Sequence, residues 1–238
     1  MDQKLARLAL MLEEEQMNII KQSKVLVIGL GGVGGYVCEA LARSGIGHLV
    51  VMDHDVVSMS NLNRQIIATK DSIGVSKTLA IKQRVELISD TTVTCIDEFY
   101  HDECNIIDNS YDFIVDACDT ISAKIAIIKK CKECHINLIS CMGTANRLDP
   151  SQLRVMSLDQ TSYDPLAKVM RNLVKKNHIK GKIMVVASLE QPFKQNKLVD
   201  GNGITLKEKY PPASSPFVPS AAGMLMASYV FKKLINKI

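Results

Sequence analysis

Apolar runs rich in β-branched residues alternate with segments of helical periodicity along the first part of the chain. Such alternation is typical of βαβ units, in which helices connect parallel strands. Strands are predicted at residues 24–28, 48–53, 92–96, 113–116 and 137–141, and helices at 32–44, 76–89 and 120–135. The pattern therefore predicts an α/β fold with a doubly wound, Rossmann-like, mainly parallel sheet that binds ligands at the carboxyl ends of its strands.

The pattern changes after residue 150, where a C-terminal strand and helix extension begins. It predicts a strand at "LRVMSL", a basic helix over 164–177, a strand at "KIMVVAS" and a closing helix over 219–235. The loop at 190–216 contains proline and glycine and is longer than an ordinary connection, so we interpret it as a lid or a crossover segment. We expect a single domain over 1–238, made of an N-terminal helix (1–23), a nucleotide-binding core (24–150) and a substrate-side extension (151–238).

The first residues, "MDQKLARLALMLEEEQMN", predict an amphipathic helix with Leu5, Leu8, Leu12 and Met17 near one face. They lack the apolar block of a signal peptide, and no run in the chain approaches the length of a membrane span. Seven cysteines, an odd number scattered over predicted strands and helices, favour a reducing cytoplasm over a disulfide framework. At 238 residues and 47% hydrophobic the chain can bury a large core, and its net charge of +4 permits nucleic-acid binding without requiring it.

A glycine-rich turn, "GLGGVG", follows the first predicted strand and opens the next helix. Gly29, Gly31 and Gly34 satisfy G-x-G-x-x-G, and Gly32 lies between them. Glycine lets backbone N–H groups approach a phosphate at the positive end of a helix. Asp53, at the end of the second strand, is placed to accept hydrogen bonds from a ribose. These features fit NAD as well as ATP, so they predict phosphate binding and leave the nucleotide open.

Charged residues after the second and fourth strands favour ATP with Mg²⁺ over a dinucleotide. The segment "DHDVVSMSNLNRQ" supplies Asp55, Asn61 and Arg64, and Lys77 follows in "GVSK". Two cations beside a phosphate turn suit a triphosphate, because they can stabilise a departing pyrophosphate. Lys77 stands in the first turn of its predicted helix, where a cation opposes the helix dipole, and this small cost fits a residue needed for a ligand. Asp119, after the fourth strand, can hold Mg²⁺ through its oxygens.

The chain resembles the ubiquitin-activating-type adenylating enzymes through "GLGGVG", Asp53, "SNLNRQ", Lys77 and "DACDT", which occur in order at the expected intervals. The resemblance implies that the glycine turn and the polar residues after the second strand bind ATP; these are Asp53, Asn61, Arg64 and Lys77, and Asp55 is counted with Asp53. It implies that Asp119 serves Mg²⁺ and the adenylation step. It also implies a homodimer in which an N-terminal arginine reaches the partner's ATP site, for which Arg7 is the matching residue. The implied catalytic residues are Arg7, Arg64, Lys77 and Asp119.

Within that family, nearly the whole chain is similar to the subgroup that acts on threonylcarbamoyladenosine beside the anticodon of tRNA. The similarity lies in "EALARSGIGHLVVMDHDVV", "NRQIIATKDSIGVSK", "VDACDTISAKIAII", "SCMGTANRLDPSQLRV" and "TSYDPLAKVMRNLVKK". It implies that ATP activates the threonyl carboxylate and that the side chain then closes into a ring with release of AMP. Many relatives carry glycine in an N-terminal "GEE" segment where this chain reads "LEEE", so details of the N-terminal helix differ.

Cysteine usage bears on a second hypothesis, adenylation of the C-terminal glycine of a sulfur-carrier protein. The zinc-binding activators of such carriers usually have two Cys-x-x-Cys pairs in their second half, and this chain has one, Cys131 with Cys134. A tetrahedral zinc would lack half of its ligands, so no structural zinc is expected. No cysteine follows Cys141, which disfavours a thioester relay through the long loop. A sulfur-transfer protein stays open as a partner.

Hypotheses from other classes also stay open. A dinucleotide-dependent oxidoreductase would leave Arg64, Lys77 and Asp119 unexplained, and a nucleotide-sensing protein would bind ATP without turnover. The basic segment 168–182 is either a solvated helix face or a contact for a phosphate backbone. It lacks aromatic residues on which bases could stack.

Overall fold

The computed structural model describes residues 3–196 and 212–236. Its strands are β1 (Lys24–Ile28), β2 (His48–Met52), β3 (Thr92–Ile96), β4 (Phe113–Asp116), β5 (Leu138–Cys141), β6 (Leu153–Ser157) and β7 (Met184–Ser188). Its helices are α1 (Ala6–Ala9), α2 (Glu14–Gln22), α3 (Gly34–Arg43), α4 (Lys77–Glu86), α5 (Ile121–Glu133), α6 (Pro165–Lys176) and α7 (Phe217–Leu234). Among the described helices, none is long and apolar enough to cross a membrane.

The strands form one seven-stranded sheet in the order β3-β2-β1-β4-β5-β7-β6. All pairs are parallel except β6 with β7, which run antiparallel. This confirms the predicted fold class. The strand order reverses between β1 and β4, and such a switch point leaves a crevice at the carboxyl ends of the two strands. We call the side where β1, β2, β4, β5 and β7 end the carboxyl edge, and the opposite side the amino edge.

Helices cover both faces of the sheet. Successive side chains of a strand point to opposite faces, so a strand that is apolar at every position needs helices on each side. In β1, Val25 and Val27 pack in one core with α3, α4 and α7, and Leu26 and Ile28 pack in another with α5. A third core joins α5 and α6 over β7. The sheet is therefore shielded on both faces, and its edges are the places open to a ligand.

The extension after residue 150 is tied to the sheet by α6 as well as by its strands. Asp164 caps α6 by accepting a hydrogen bond from the Ala167 N–H at 3.0 Å. The same carboxylate accepts the Gly143 N–H at 2.9 Å, just after the end of β5. A side chain that caps a helix commonly satisfies one of its free N–H groups. Here it also fixes the start of α6 at the carboxyl edge.

The single N-terminal helix predicted over 1–23 is wrong in the described part, because the chain forms α1 and α2 with a break between them. Glu13 is extended (φ −79°, ψ 158°) and forms a capping box with Gln16, which starts a new helix at Glu14. Leu5 is buried, as its place in the apolar stripe predicts. Leu12 is only partly buried, so the stripe does not hold one continuous helix on the core.

The loop predicted over 190–216 falls partly outside the described residues, which omit 197–211. Its last residues lie against the carboxyl edge. The Ala213 carbonyl accepts the Asn146 N–H at 2.7 Å, and the Ser214 carbonyl accepts the Asn63 side-chain amide at 3.0 Å. A lid or crossover role for the loop stays a prediction.

Candidate active site

The glycine turn joins β1 to α3 at the carboxyl edge, and two of its glycines are required by close packing. Gly29 has φ +90°, and a Cβ on it would lie 2.7 Å from the Cys118 nitrogen. A Cβ on Gly34 would lie 1.8 Å from the Gly29 carbonyl oxygen. Any side chain at either position would collide with backbone. Glycine at position 29 lets the turn approach the segment after β4, and glycine at position 34 lets α3 begin close to the Gly29 carbonyl.

The other two glycines face a different environment. A Cβ on Gly32 would lie 3.2 Å from Pro219 and 3.4 Å from the Cγ of Arg64. A Cβ on Gly31 would meet, among the described residues, only the Nε2 of Gln65 at 3.9 Å. The space above Gly31 is therefore open from within the chain, as a turn that receives phosphate requires.

Asp53 holds the glycine turn in place from the end of β2. It is buried, and its Oδ2 accepts the Leu30 N–H at 2.6 Å. Its Oδ1 accepts the Asp55 N–H at 2.9 Å. Asp53 therefore connects the loops after β1 and β2, in addition to the ribose contact predicted for it.

Lys77 lies in an acidic setting, at the first position of α4. It is buried, and its Nζ lies 2.7 Å from Asp55 Oδ2 and 3.7 Å from Asp53 Oδ1. Partial burial by itself raises the pKa of Asp55, but the hydrogen bond and positive charge of Lys77 outweigh it, and the pKa lies below its ordinary value. The two carboxylates compensate the cost of placing an ammonium at a helix N-terminus.

Asn61 and Arg64 follow β2 on a short turn beside the glycine turn. The buried Asn61 side chain accepts the Ser58 N–H at 3.0 Å and so closes that turn. Arg64 donates to the Ser60 carbonyl at 2.8 Å and to the Asn63 side chain at 3.0 Å. Within residues 3–196 and 212–236, Arg64 has no carboxylate partner, so its charge is available to an anion beside Gly32.

Asp119 lies in the turn between β4 and α5, on the opposite side of Gly29 from Asp53. Its exposed carboxylate accepts the Thr120 hydroxyl at 3.4 Å and, in the part of the chain that the structure describes, forms no ion pair. Its free oxygens are of the type that Mg²⁺ prefers, so the residue present fits the predicted ion.

The structure does not bring Arg7 to these residues within one chain. Arg7 is the exposed second residue of α1 and lies two positions after the buried Leu5. A Cβ on Gly45 would lie 2.5 Å from Leu5, and Gly45 precedes β2 at the amino edge. A five-residue strand spans roughly 16 Å, so Arg7 and the glycine turn belong to opposite edges of the same sheet.

Two buried polar residues beside the turn escaped the sequence analysis. Asp116 is fully buried at the end of β4 and pairs with Lys124 of α5 at 3.0 Å. Gln65 is 6% exposed, and its Oε1 has no hydrogen-bond partner among the described residues. Both occur in quoted motifs, "VDACDT" and "SNLNRQ". The hydrophobic pattern treated Asp116 as one more strand position, and it could not show that Lys124 is its partner or that the Gln65 side chain is buried.

Within the described ranges of the chain, no cysteine belongs to a close group of potential metal ligands. All seven are free, and burial raises the pKa of Cys131 to about 12. Among the described residues, the close group of potential metal ligands is Asp53, His54 and Asp55, where Lys77 already supplies the positive charge. The site combines an open glycine turn with Arg64 and Asp119, neither of which has an ion-pair partner among the described residues. This arrangement suits a phosphate-bearing ligand.

The chain is similar to known proteins along nearly its whole length. The ThiF family profile matches residues 2–237. The tRNA threonylcarbamoyladenosine dehydratase of Bacillus subtilis (strain 168) is 36% identical over 241 residues, 98% of this chain and 95% of that protein. The protein of the same name from Haemophilus influenzae is 39% identical over 162 residues, 67% of this chain and 62% of that protein.

The same similarity is seen among solved structures. A crystal structure of E. coli tRNA N6-threonylcarbamoyladenosine dehydratase in complex with ATP matches with a TM-score of 0.87 and 29% identity, covering 99% of this chain and 95% of that chain. A complex of the E. coli protein with AMP matches equally well.

Proposed function

The chain belongs to the ThiF family, and we propose that it uses ATP to dehydrate threonylcarbamoyladenosine in tRNA. The threonyl carboxylate attacks the α-phosphorus of ATP, the bond to pyrophosphate breaks, and an acyl-adenylate forms. The neighbouring carbamoyl group then attacks the acyl carbon, and AMP leaves with the former carboxylate oxygen. The net change in the nucleoside is the loss of one water, accounted for by the cleavage of ATP to AMP and pyrophosphate.

The observation that carries this function is the similarity over whole chains. The Bacillus subtilis dehydratase aligns with 98% of this chain, so its resemblance includes the extension after residue 150 as well as the nucleotide core. The E. coli dehydratase, whose structures hold ATP and AMP, shares the fold over 99% of this chain. ATP is the substrate of the adenylation step, and AMP is the nucleotide that the cyclisation step releases.

We further propose roles for the residues at the carboxyl edge. Backbone N–H groups of the glycine turn bind the phosphates at the start of α3. Arg64 stabilises the charge that develops on the departing pyrophosphate, since it adjoins Gly32 and has no carboxylate partner in the described chain. Asp119 holds Mg²⁺, which would neutralise phosphate charge when bound.

Asp53, Asp55 and Lys77 serve the site from beneath. Asp53 binds the Leu30 N–H and thereby sets the glycine turn, and its position at the end of β2 also suits a ribose hydroxyl. Lys77 is held by both carboxylates, so its ammonium is oriented before any ligand arrives. We propose that this preorganised lysine helps to stabilise pyrophosphate as it departs.

The proposed assembly is a homodimer acting on tRNA in the cytoplasm. Arg7 lies at the amino edge of its own sheet, so it can reach an ATP site only in another copy of the chain. We propose that the exposed lysines of α6 and of the segment after it contact the phosphate backbone of tRNA. These are Lys168, Lys175, Lys176, Lys180 and Lys182. A sulfur-transfer protein as a partner stays a prediction.

The test is to incubate the protein with ATP, Mg²⁺ and tRNA that carries threonylcarbamoyladenosine, and to analyse the nucleosides by mass spectrometry. We expect the nucleoside to lose one water while AMP and pyrophosphate form, and no change when NAD replaces ATP. An unchanged nucleoside, together with pyrophosphate exchange stimulated by a sulfur-carrier protein, would favour the second hypothesis. NAD-dependent turnover would contradict adenylation altogether.

A further inference from the structure

A fully buried charged cluster lies directly behind the turn that carries Asp119. Its members are Lys124, Asp116 and Ser140, and none of their side chains is accessible to solvent. The Nζ of Lys124 lies 3.1 and 3.0 Å from the two oxygens of Asp116, and it donates to the Cys141 carbonyl at 2.7 Å. The Ser140 hydroxyl donates to Asp116 as well. We call this the Lys124 cluster; it joins α5 to the ends of β4 and β5.

The Lys124 cluster is ionic. Burial alone lowers the pKa of Lys124, but the adjacent Asp116 carboxylate outweighs burial, and the pKa lies above its ordinary value. Replacing a buried ion pair with apolar residues is often neutral or even stabilising, so stability is a weak reason for such a cluster. Its contacts with the site above it give a better one.

Asp116 connects Lys124 to the turn at 117–119 through hydrogen bonds. Its Oδ1 accepts the Cys118 N–H at 3.2 Å and the Cys118 thiol at 2.9 Å. The same Cys118 nitrogen is the atom that a Cβ on Gly29 would approach to 2.7 Å. The turn is therefore held between the Lys124 cluster below and the glycine turn beside it.

We propose that Lys124 is a positioning residue for adenylation: through Asp116 it fixes the turn at 117–119, and so the place of the Asp119 carboxylate relative to the glycine turn. This rests on the proposed function, because it assigns Asp119 a part in the reaction. Asp119 has little else to hold it, since its contact in the described chain is with the neighbouring Thr120.

The test is a double-mutant cycle in the full-length protein with Lys124→Met and Asp119→Asn. Lys124→Met should lower kcat for AMP formation by about 10- to 100-fold, since a displacement of the order of 1 Å can have that effect. In the Asp119→Asn background the same change should lower kcat less than about threefold, because residues that act through one another are not additive. Full additivity of the two losses would overturn the proposal.

A structural readout separates this proposal from the proposed function. Hydrogen exchange of the Cys118 amide should accelerate in Lys124→Met, because Asp116 loses its partner. It should stay unchanged in Ile127→Ala, a control that removes buried apolar contacts from the same helix outside the cluster. Unchanged Cys118 exchange in Lys124→Met would overturn the positioning role alone. An Asp119→Asn variant with unimpaired turnover would instead overturn the role proposed for Asp119 in adenylation.

A milder variant covers the case in which Lys124→Met does not fold. Ser140→Ala removes the hydrogen bond that Ser140 donates to Asp116 and the longer one, 3.4 Å, that it accepts from Lys124, and it leaves the ion pair intact. It should accelerate Cys118 exchange and lower kcat more than it changes the KM for ATP. A Ser140→Ala protein with the exchange and kcat of the parent would overturn the proposal.

Discussion

The substitution Gly31→Ala separates a ligand-binding glycine from a structural one. A Cβ at Gly34 would lie 1.8 Å from the Gly29 oxygen, whereas a Cβ at Gly31 would meet, among the described residues, only Gln65 Nε2 at 3.9 Å. That distance is ordinary van der Waals contact. Gly31 also lacks the positive φ that alanine would resist. The fold therefore has room for alanine at this position. We propose that a phosphate of bound ATP would collide with the added methyl group.

Gly31→Ala should stabilise the folded protein slightly and weaken its binding of ATP. At a compatible position, glycine to alanine raises the free energy of unfolding by about 0.4–1 kcal/mol, because the unfolded chain loses conformational freedom. A methyl group where a phosphate meets backbone N–H would cost one hydrogen bond to a charged group, about 1.5–3 kcal/mol. That energy corresponds to about 10- to 150-fold weaker ATP binding.

Isothermal titration with ATP and Mg²⁺ measures the binding, and thermal unfolding without ligand measures the fold. Gly31→Ala should melt at or slightly above the temperature of the parent protein, with a smaller further rise on adding ATP. Gly34→Ala is the matched control and should fail to fold, because its methyl group meets a backbone oxygen. Wild-type ATP affinity in a folded Gly31→Ala protein would refute the reasoning, since no phosphate could then lie over Gly31.

Three further predictions concern the partner chain, the chemistry and the substrate. An isolated heterodimer of Arg7→Ala and Lys77→Ala chains should regain activity, because one of its sites has both residues intact; activity no higher than that of either parent would remove Arg7 from a shared site. No thioester between enzyme and substrate should accumulate, since no cysteine follows Cys141, and a trapped one would contradict direct cyclisation. The double substitution Lys175→Glu and Lys176→Glu should weaken tRNA binding. It should also reduce the slope of the logarithm of the binding constant against the logarithm of the salt concentration by about two, and an unchanged slope would exclude phosphate contacts there.

The positions of the strands follow from the sequence because local physics defines them. Short apolar runs bounded by turn residues predicted β1, β3 and β4 with the ends that the structure shows. Helix ends differ from the predicted ones by one to three residues, since caps decide them: Ser76 caps α4 with its side chain, so the helix begins at Lys77. The N-terminal break at Glu13 was missed because the apolar stripe continues across it.

The sequence also determined which residues to consider at the site, through the spacing of glycines and charges after strands that must end at one edge. It could not decide their partners. Lys77 was expected to face a triphosphate, and only the fold shows that Asp55 and Asp53 already hold it. The roles of these residues in binding ATP stay predictions.

Tertiary structure alone decided the order of the strands and the polar contacts between them. Asp116, Lys124 and Ser140 lie on β4, α5 and β5, and their meeting depends on α5 crossing behind two adjacent parallel strands. A hydrophobic pattern records that a position is buried, but it does not record which buried neighbour lies opposite. Burial was thus written in the sequence, whereas the pairing of buried charges was set by the packing of elements that are distant along the chain.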